Sequence, residues 1–353
     1  MKNPPHITLL IVYSQKFYGV ALIPPLIVSV YVESGRRQQI IIFAIGKNPV
    51  YNGTYNHKKG SNMASIFVFP GQGAQSVGMG LDLYKDNADA RAVFDAVDAA
   101  LDEKLSDIIF NGPAEDLTLT ANVQPAIMAT SIAMLRASDA NLPEYVAGHS
   151  LGEYTALCAA GALSVGDAAK LLRVRGNAMQ SAVPVGMGLT AVLIGLDIKA
   201  VREICSETDC DVANDNCPGQ VVISGAREIV ERTMELAKAR GARRAMPLAL
   251  SVPVHCRIQE PAAAQMRSAL ESVEFKTPVV PIILNKTCQP TTDVNEIKEA
   301  LVYQMTHGVR WRESVLNMAE LGITEMIEVG PGNVLTGLCS RITDKITAKK
   351  LEI

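Results

Sequence analysis

The sequence predicts an α/β protein: a hydrolase-like, mostly parallel sheet with helices on both faces, plus an inserted ferredoxin-like small domain. Three observations predict this fold. From residue 65 onward, short apolar runs alternate with segments of helical period. A G-x-S-x-G motif at 148–152 joins one such run to a segment of small apolar residues. Residues 188–253 follow the order βαββαβ, which is that of the ferredoxin-like unit, with the last strand predicted at 244–252.

The bulk composition is that of an ordinary globular protein. Of its 353 residues, 48% are hydrophobic and 20% are charged, and the net charge is −3. Such a weak charge gives no electrostatic basis for binding nucleic acid. The seven cysteines form no C-x-x-C pair, which argues against a structural zinc site and a disulfide framework. Reduced thiols in the cytoplasm are the simplest interpretation.

Residues 1–62 differ in composition from the rest of the chain. They carry seven Lys or Arg residues against one Glu. Their apolar part, residues 7–32, is interrupted by a Ser-Gln-Lys stretch and a Pro-Pro pair, whereas a transmembrane helix needs about 20 unbroken apolar residues. No signal-peptide cleavage site is clear. We interpret 1–62 as an upstream extension or disordered leader, with Met63 as the natural start; a targeting or membrane-surface segment is the alternative.

The first half of the remaining chain alternates strand, turn and helix. Residues 65–69 (SIFVF) predict a strand, and the glycine-rich turn at 70–75 either presents backbone N–H groups to an anion or is an ordinary tight turn. It is no phosphate loop, because no G-K-[ST] follows. Helical periodicity marks 87–110 and 164–180, and another helix begins with Pro125 in its first turn.

Ser150 lies at the centre of the G-x-S-x-G motif, between a predicted strand at 145–147 and a predicted helix at 151–160. In such a turn the flanking glycines are required because a Cβ would clash. The serine hydroxyl then lies at the N-terminus of the helix, where free N–H groups favour a developing oxyanion. The motif therefore predicts that Ser150 is a nucleophile.

Histidine is scarce, which narrows the search for a general base. Two of the five histidines lie in residues 1–62, and the side chain of His149 should face away from its neighbour Ser150. His255 and His307 remain as candidates. His255 follows a strand and a proline at the boundary of the inserted unit, and an unperturbed pKa near ~6.5 suits proton transfer.

Two arginines on the helix predicted at 164–180 are candidates for binding a carboxylate. Arg173 and Arg175 flank one residue, so helical spacing sends them to different faces. One can be solvated while the other turns inward and binds a carboxylate through its planar fork. Gln124, near the start of another helix, either faces a cleft or is solvated.

The βαββαβ unit divides the chain into domains. We predict that residues 63–187 and 254–353 form the main domain and that residues 188–253 form the inserted small domain. Further strands are predicted at 281–284 and 326–329, with helices between and after them. A cleft between the two domains would be a natural substrate site.

Several motifs together resemble one family, malonyl-CoA:acyl carrier protein transacylase of type II fatty acid synthesis. The likeness covers nearly all of residues 65–343, and residues 1–62 have no counterpart in it. The motifs are FPGQGAQ (69–75), QPA (124–126), GHSLGEY (148–154), RG (175–176), SVPVHC (251–256), VRW (309–311) and EVGPGNVLTGL (328–338).

The resemblance implies a set of catalytic roles. Ser150 would be the nucleophile and His255 its base. In this family a backbone carbonyl rather than an aspartate orients the histidine, and here that carbonyl would belong to Gln304. The backbone N–H groups of Gln72 and Leu151 would form the oxyanion hole.

The resemblance also implies the substrates. Arg175 would bind the free carboxylate of a malonyl group, and Gln124 would line the pocket. Malonyl-CoA and the phosphopantetheine arm of acyl carrier protein would be substrates, with no bound cofactor and no metal. Val254 stands where a serine or a bulky aromatic residue is commoner, which bears on fine acyl selectivity.

The expected partner is therefore an acidic acyl carrier protein, and neither nucleic acid nor membrane is expected. Arg240, Arg243 and Arg244 are candidates for a basic docking rim, or else form a solvated charge cluster. We expect a monomer. The competing interpretations are a serine esterase or thioesterase, a trans-acting acyltransferase of polyketide synthesis or malonate metabolism, and a non-catalytic scaffold that binds the carrier protein.

Overall fold

The computed structural model describes residues 64–353 and three strands nearer the N-terminus. Those strands are β1 (Thr8–Leu10), β2 (Val28–Val32) and β3 (Gln38–Ile42), which pair antiparallel in the order β1-β2-β3. They belong to a unit that spans residues 1–60. The other predictions for residues 1–62, including the start at Met63, lie outside the described residues.

Strands and helices alternate through the second unit, residues 61–353. Its strands are β4 (Ala64–Phe69), β5 (Tyr145–Gly148), β6 (Gly188–Ile194), β7 (Asp211–Cys217), β8 (Gln220–Ala226), β9 (Arg244–Pro247), β10 (Ile282–Ile283), β11 (Pro290–Thr291), β12 (Ile323–Glu328) and β13 (Thr347–Lys350). Its helices are α1 (Leu81–Asp86), α2 (Ala88–Leu101), α3 (Leu105–Asn111), α4 (Ala114–Thr118), α5 (Thr120–Ala137), α6 (Gly152–Ala159), α7 (Val165–Ala182), α8 (Ile198–Thr208), α9 (Arg227–Ala239), α10 (Glu260–Glu271), α11 (Val294–Thr306), α12 (Trp311–Glu320) and α13 (Val334–Ile342).

The main sheet has six strands in the order β11-β10-β5-β4-β12-β13. Every neighbouring pair is parallel except β10 with β11, an antiparallel pair at the edge. Strands separated by helices pair in parallel because the crossover returns the chain to the same end of the sheet. The predicted mostly parallel α/β fold is thereby confirmed.

The central strand β4 is buried on both faces. Phe67 and Phe69 pack into the cluster that contains α2, α5 and α7, whereas Ile66 and Val68 pack with Trp311 on the opposite face. Side chains alternate across a strand, so a run of consecutive apolar residues supplies both layers. This explains why the sequence of β4 is continuously hydrophobic and does not alternate between apolar and polar residues.

Residues 188–247 build a second sheet of four antiparallel strands in the order β7-β8-β6-β9. Helices α8 and α9 pack on it around a separate apolar cluster. This is the strand order of a βαββαβ unit. Its status as a separate domain at 188–253 stays a prediction.

The last strand of this sheet is shorter than predicted. The sequence favours a strand through residue 252, but β9 ends at Pro247. The N–H of Leu250 donates to the carbonyl of Leu248 at 2.8 Å, a tight turn that takes the chain out of the sheet. The turn leads the chain toward His255.

The small sheet is joined to the main body along β7. The N–H of Asp215 donates to the carbonyl of Val309 at 2.9 Å, and the N–H of Val309 donates to Ala213 at 2.9 Å. The guanidinium of Arg312 donates from Nη2 and Nε to the buried Asp215 carboxylate at 2.7 and 3.0 Å. These bonds fix β7 against the loop that precedes α12.

Helix α5 begins earlier than predicted. It starts at Thr120, so Pro125 lies inside the helix rather than in its first turn. A proline has no N–H, which leaves the carbonyl four residues earlier without its helical partner. That carbonyl belongs to Ala121, and Nη1 of Arg173 donates to it at 2.8 Å. A side chain from α7 therefore replaces the missing backbone bond.

Among the residues the structure describes, no helix is long and apolar enough to cross a membrane. In the same part of the chain, no group of three or more His, Cys, Asp or Glu side chains is arranged to hold a metal ion. The seven cysteines are free thiols, and each of them is buried.

The close contact of α5 and α7 predicts the effect of two helical Gly→Ala changes. A Cβ at Gly176 would lie 2.4 Å from Ala121 Cα, whereas a Cβ at Gly337 would have nothing within 4 Å. We expect Gly176→Ala to lower the free energy of unfolding by about 1–3 kcal/mol through overpacking. Gly337→Ala should raise it by about 0.5–1 kcal/mol through helix propensity. Urea denaturation measures both, and equal effects would contradict the proposed contact.

Candidate active site

Ser150 lies at the turn between β5 and α6 in a strained backbone conformation. Its φ is 56°, in the left-handed region that costs a non-glycine residue about 1–3 kcal/mol. A Cβ at Gly148 would lie 1.8 Å from the Gly152 carbonyl carbon, and one at Gly152 would lie 2.2 Å from the Phe69 carbonyl oxygen. Both glycines of the motif are therefore required by close approach of the backbone.

Asn285, in the loop after β10, holds this turn from the other side. Its Oδ1 accepts from the N–H of Ser150 at 2.9 Å, and its Nδ2 donates to the carbonyl of Gly148 at 2.7 Å. The residue is 1% exposed. Asn285 therefore stabilises the strained serine, although no sequence motif indicates it.

The serine hydroxyl is hydrogen-bonded to a histidine from a distant loop. Ser150 Oγ lies 2.8 Å from Nε2 of His255, and Nδ1 of His255 lies 2.7 Å from the backbone carbonyl of Gln304. A carbonyl can only accept, so Nδ1 carries the proton and Nε2 is left as an acceptor. This tautomer can take a proton from the serine hydroxyl.

The environment of His255 keeps its imidazole neutral. The side chain is buried, and this burial, together with the positive charge of Arg175, lowers the pKa of His255 to about 3. The bond to the Gln304 carbonyl acts in the opposite direction but is outweighed. At neutral pH the base is therefore unprotonated.

Arg175 projects from α7 into the same site. It is 1% exposed, and burial lowers its pKa. Nη1 donates to Gln124 Oε1 at 2.6 Å, while Nη2 donates to Gln304 Oε1 at 2.8 Å and to Ser150 Oγ at 3.2 Å. These three acceptors are all neutral oxygens. The site can therefore bind a ligand carboxylate beside the nucleophile.

Arg173 lies outside this site. It donates to Asn122 Oδ1 at 2.6 Å and forms an ion pair with Glu103. Its side chain is 17% exposed, so it is partly buried rather than freely solvated. The positions of the two arginines match the prediction that they face different ways. Helical spacing left open which one faces Ser150, and it is Arg175, the residue that the family resemblance named.

Two side chains in this network were not anticipated from the sequence. Nε2 of Gln304 donates to the carbonyl of Ser150 at 3.1 Å and also to Oε2 of Glu153. Oε1 of Glu153 accepts from the N–H of Asn285 at 2.6 Å. Burial raises the pKa of Glu153 to about 8, whereas the acceptor role of both its oxygens favours the ionised form. The only sequence signal for Glu153 is its place just after the serine turn.

The loop after β4 approaches the serine turn from the neighbouring strand. The N–H of His149 donates to the carbonyl of Phe69 at 3.0 Å, and a Cβ at Gly71 would lie 2.8 Å from the His149 carbonyl oxygen. Gln72 is next in this loop, and Leu151 opens the N-terminal end of α6. Both backbone segments named for the oxyanion hole therefore lie beside the turn.

Neither of the other described histidines contacts Ser150 Oγ. His149 lies with Nε2 2.9 Å from Asn216 Oδ1 on β7, and its ring is 5.6 Å from that of Trp311. His307 is exposed and stacks on Tyr303 with the ring centroids 3.7 Å apart. Of the candidate bases, His255 alone is within hydrogen-bonding distance of the serine in the described residues.

Two further predicted positions lie outside the hydrogen-bonded site. Val254 is buried, and its N–H donates to Ser224 Oγ at 3.0 Å. Arg240 binds both carboxylate oxygens of Glu207 at the surface, at 2.6 and 2.7 Å. An exposed pair of this kind contributes little to stability. The other two arginines in the predicted rim, Arg243 and Arg244, are both exposed.

The arrangement therefore combines three chemical functions within one crevice. A hydroxyl nucleophile is bonded to a neutral base, the N-terminus of a helix lies beside it, and a buried cation lies within hydrogen-bonding distance. Such a set can form a covalent acyl-serine and can select an acyl group that ends in a carboxylate.

Comparison with known sequences agrees with this chemistry. The profile of the acyl transferase domain family matches residues 66–350. The chain is 44% identical over 287 residues to the malonyl CoA-acyl carrier protein transacylase of Bacillus subtilis, covering 79% of this chain and 90% of that protein. It is 43% identical over 292 residues to the Escherichia coli K12 protein of the same name, covering 81% and 94%.

Solved structures give the same result. An acyl-carrier-protein S-malonyltransferase from Bartonella henselae superposes with a TM-score of 0.80 at 50% identity, covering 82% of this chain and 95% of that one. A malonyl-transacylase in complex with a type II PKS acyl-carrier protein superposes with a TM-score of 0.79 at 40% identity, covering 82% and 96%.

The neutral state of His255 can be tested directly. With its pKa lowered to about 3, the imidazole should keep its neutral tautomer well below the pH at which an ordinary histidine, with a pKa near ~6.5, becomes charged. We expect nitrogen NMR of histidine-labelled protein to show no titration of His255 between about pH 7.5 and about pH 5. Assignment uses the signal lost in His255→Gln. A midpoint near ~6.5 would contradict the effect of burial.

Proposed function

The chain belongs to the acyl transferase domain family, and we propose that it transfers the malonyl group of malonyl-CoA to the phosphopantetheine thiol of an acyl carrier protein, for fatty acid synthesis. One observation carries the proposal: the buried Arg175 guanidinium lies 3.2 Å from the oxygen of the candidate nucleophile Ser150. A cation at that distance fits an acyl group that ends in a free carboxylate, and two relatives carry the name of malonyl transacylase.

In the first half-reaction Ser150 Oγ attacks the thioester carbonyl of malonyl-CoA while His255 Nε2 takes the hydroxyl proton. The backbone N–H groups of Gln72 and Leu151 are the proposed donors to the oxyanion. Collapse of the intermediate breaks the carbon–sulfur bond. The proton on His255 passes to the departing CoA thiolate, and malonyl remains as an ester on Ser150.

The second half-reaction reverses the roles. The phosphopantetheine thiol gives its proton to His255 Nε2 and attacks the ester carbonyl, and the carbon–oxygen bond to Ser150 breaks. His255 then returns the proton to the serine oxygen. In each half the carbonyl of Gln304 holds the imidazole in the required tautomer, because it accepts the Nδ1 proton at 2.7 Å.

Arg175 is the proposed selector of the acyl group. Gln124 and Gln304 hold its two terminal nitrogens, so the guanidinium is positioned before substrate binds. A charge-assisted hydrogen bond to the malonyl carboxylate contributes about 1.5–3 kcal/mol. An acetyl group would leave the buried cation without that partner. Such sites discriminate strongly against an analogue that lacks the carboxylate.

The orientation of His255 bears on transfer versus hydrolysis. Its partner is a neutral carbonyl, not a carboxylate as in a serine-hydrolase triad. Without a negative partner the imidazole activates water less strongly, and we infer that this favours the carrier thiol as acceptor. A serine thioesterase, the competing function, would need no Arg175.

Several further features belong to the same proposal. An acyl carrier protein is the proposed partner, as one solved relative is bound to such a protein. Arg243 and Arg244 are the candidates for contacting its acidic surface, since Arg240 is bound to Glu207. A monomeric, cytoplasmic enzyme without a bound cofactor completes the proposal.

Loading of Ser150 tests the function. Intact-protein mass spectrometry after mixing with malonyl-CoA should show one malonyl adduct, and Ser150→Ala should abolish it because the nucleophile is gone. The adduct should persist when carrier protein is withheld and disappear when phosphopantetheinylated carrier is added. Loss of the adduct at the same rate without carrier would favour the thioesterase, and no adduct at all would contradict both functions.

Substrate choice tests the arginine. We expect Arg175→Ala to lower malonyl loading at least about 10-fold through loss of the charge-assisted bond, while acetyl loading persists or rises. Arg173→Ala is the matched control, because the same residue type on the same helix faces Glu103 instead. It should leave the malonyl-to-acetyl ratio unchanged. An unaltered ratio in Arg175→Ala would remove this residue from substrate recognition.

A further inference from the structure

We propose that Glu153 is a positioning residue that determines acyl specificity: its two carboxyl oxygens fix the orientation of the Gln304 side-chain amide, so that the amide oxygen faces Arg175. The inference rests on the proposed malonyl transfer and deepens it. Glu153 takes part in neither half-reaction of the proposed transfer. Yet this carboxyl group is fully buried one turn from the nucleophile, at a relative exposure of 0%.

The amide of Gln304 has two ends with opposite chemistry. Its Oε1 accepts from Arg175 Nη2 at 2.8 Å, and its Nε2 donates to the carbonyl of Ser150 at 3.1 Å and to Glu153. Turning the amide over would place the NH₂ group against the guanidinium. Both groups only donate, so Arg175 would lose an acceptor and meet a positive dipole.

Glu153 can enforce one orientation because both of its oxygens accept hydrogen bonds, which favours the ionised form against the effect of burial, and an ionised carboxylate only accepts. Its Oε1 is occupied by the N–H of Asn285 at 2.6 Å, and its Oε2 receives Nε2 of Gln304. With the amide reversed, Gln304 Oε1 would face Glu153 Oε2, and two acceptors would be opposed in a site closed to water. An unmatched buried polar group is costly, so the reversed orientation is excluded.

The effect should separate selection from chemistry. The same residue, Gln304, holds His255 through its backbone carbonyl and Arg175 through its side chain. Reversal of the amide changes only the side chain. The Ser150–His255 pair would stay intact while the guanidinium loses its position, so transfer of a group without a carboxylate should be nearly unaffected.

The first variant is Glu153→Gln, which keeps the shape but offers one acceptor and one donor where two acceptors are needed. We expect kcat/KM for malonyl loading to fall about 10- to 100-fold, and acetyl loading to change less than about threefold. Glu207→Gln is the matched control, since it removes a carboxylate from the surface pair with Arg240. It should leave the malonyl-to-acetyl ratio unchanged.

The second variant exchanges the two side chains, Glu153→Gln with Gln304→Glu. The introduced amide can accept from the N–H of Asn285 and donate to the introduced carboxylate. The bonds among positions 153, 285 and 304 are then satisfied, although the carbonyl of Ser150 loses its donor, so the melting temperature should recover part of the way toward wild type. A carboxylate of the protein now faces Arg175 permanently. Malonyl loading should therefore stay low, although the fold is restored.

The outcomes decide the matter even where one variant is unstable. Equal loss of malonyl and acetyl loading in Glu153→Gln, or no loss of either, overturns the proposal. Normal malonyl loading in the exchange variant also overturns it. Failure of the proposed function is distinguishable, because wild-type protein would then not load malonyl at all. In that case nitrogen NMR of the Gln304 side-chain NH₂ group tests whether Glu153 fixes the orientation of the amide. A shift of these signals in Glu153→Gln supports the proposal, and unchanged signals overturn it.

Discussion

The close approach of backbone at the turn between β5 and α6 is the constraint on which the site depends. No side chain fits at Gly148 or Gly152, and Ser150 between them is held at a φ of 56°. The strain persists because Asn285 binds both the N–H of Ser150 and the carbonyl of Gly148. The parallel arrangement of β4 and β5 brings the glycine-rich loop to the same edge of the sheet. Helix α6 adds its N-terminus, so the nucleophile and its electrostatic surroundings arise from one turn.

The site also depends on a buried cation, Arg175, which within the described part of the chain has no negatively charged group in direct hydrogen-bonding contact. Arg175 donates to neutral oxygens of Gln124, Gln304 and Ser150. A carboxylate from the protein in direct contact would satisfy the cation and block the substrate, whereas neutral acceptors position it and leave its charge for a ligand. The same charge, with burial, keeps His255 neutral. Burial is the larger of these two effects on His255.

Much of this could be predicted from the chain alone. The alternation of apolar runs with helical segments determined the parallel sheet, and the order βαββαβ matched the sheet of β6 to β9. Ser150 was predicted from local sequence because the turn geometry needs glycine at fixed offsets. His255 could be chosen from few histidines. Local rules failed at Pro125, which lies inside α5 because Arg173 from another helix donates to the Ala121 carbonyl that the proline leaves without a partner. They also failed at β9, which ends early in a turn.

The sequence by itself thus determined the elements, the nucleophile and a short set of candidates, because each depends on neighbours within a few positions. Helical spacing left open which arginine faces the serine, although the family resemblance named Arg175, and only the tertiary structure showed which further polar side chains complete the site. Asn285 and Gln304 are distant from Ser150 along the chain, as their contacts with its backbone span 135 and 154 residues. Asn, Gln and Glu are common surface residues. Their roles follow from burial and from the direction of each hydrogen bond, which no linear pattern encodes.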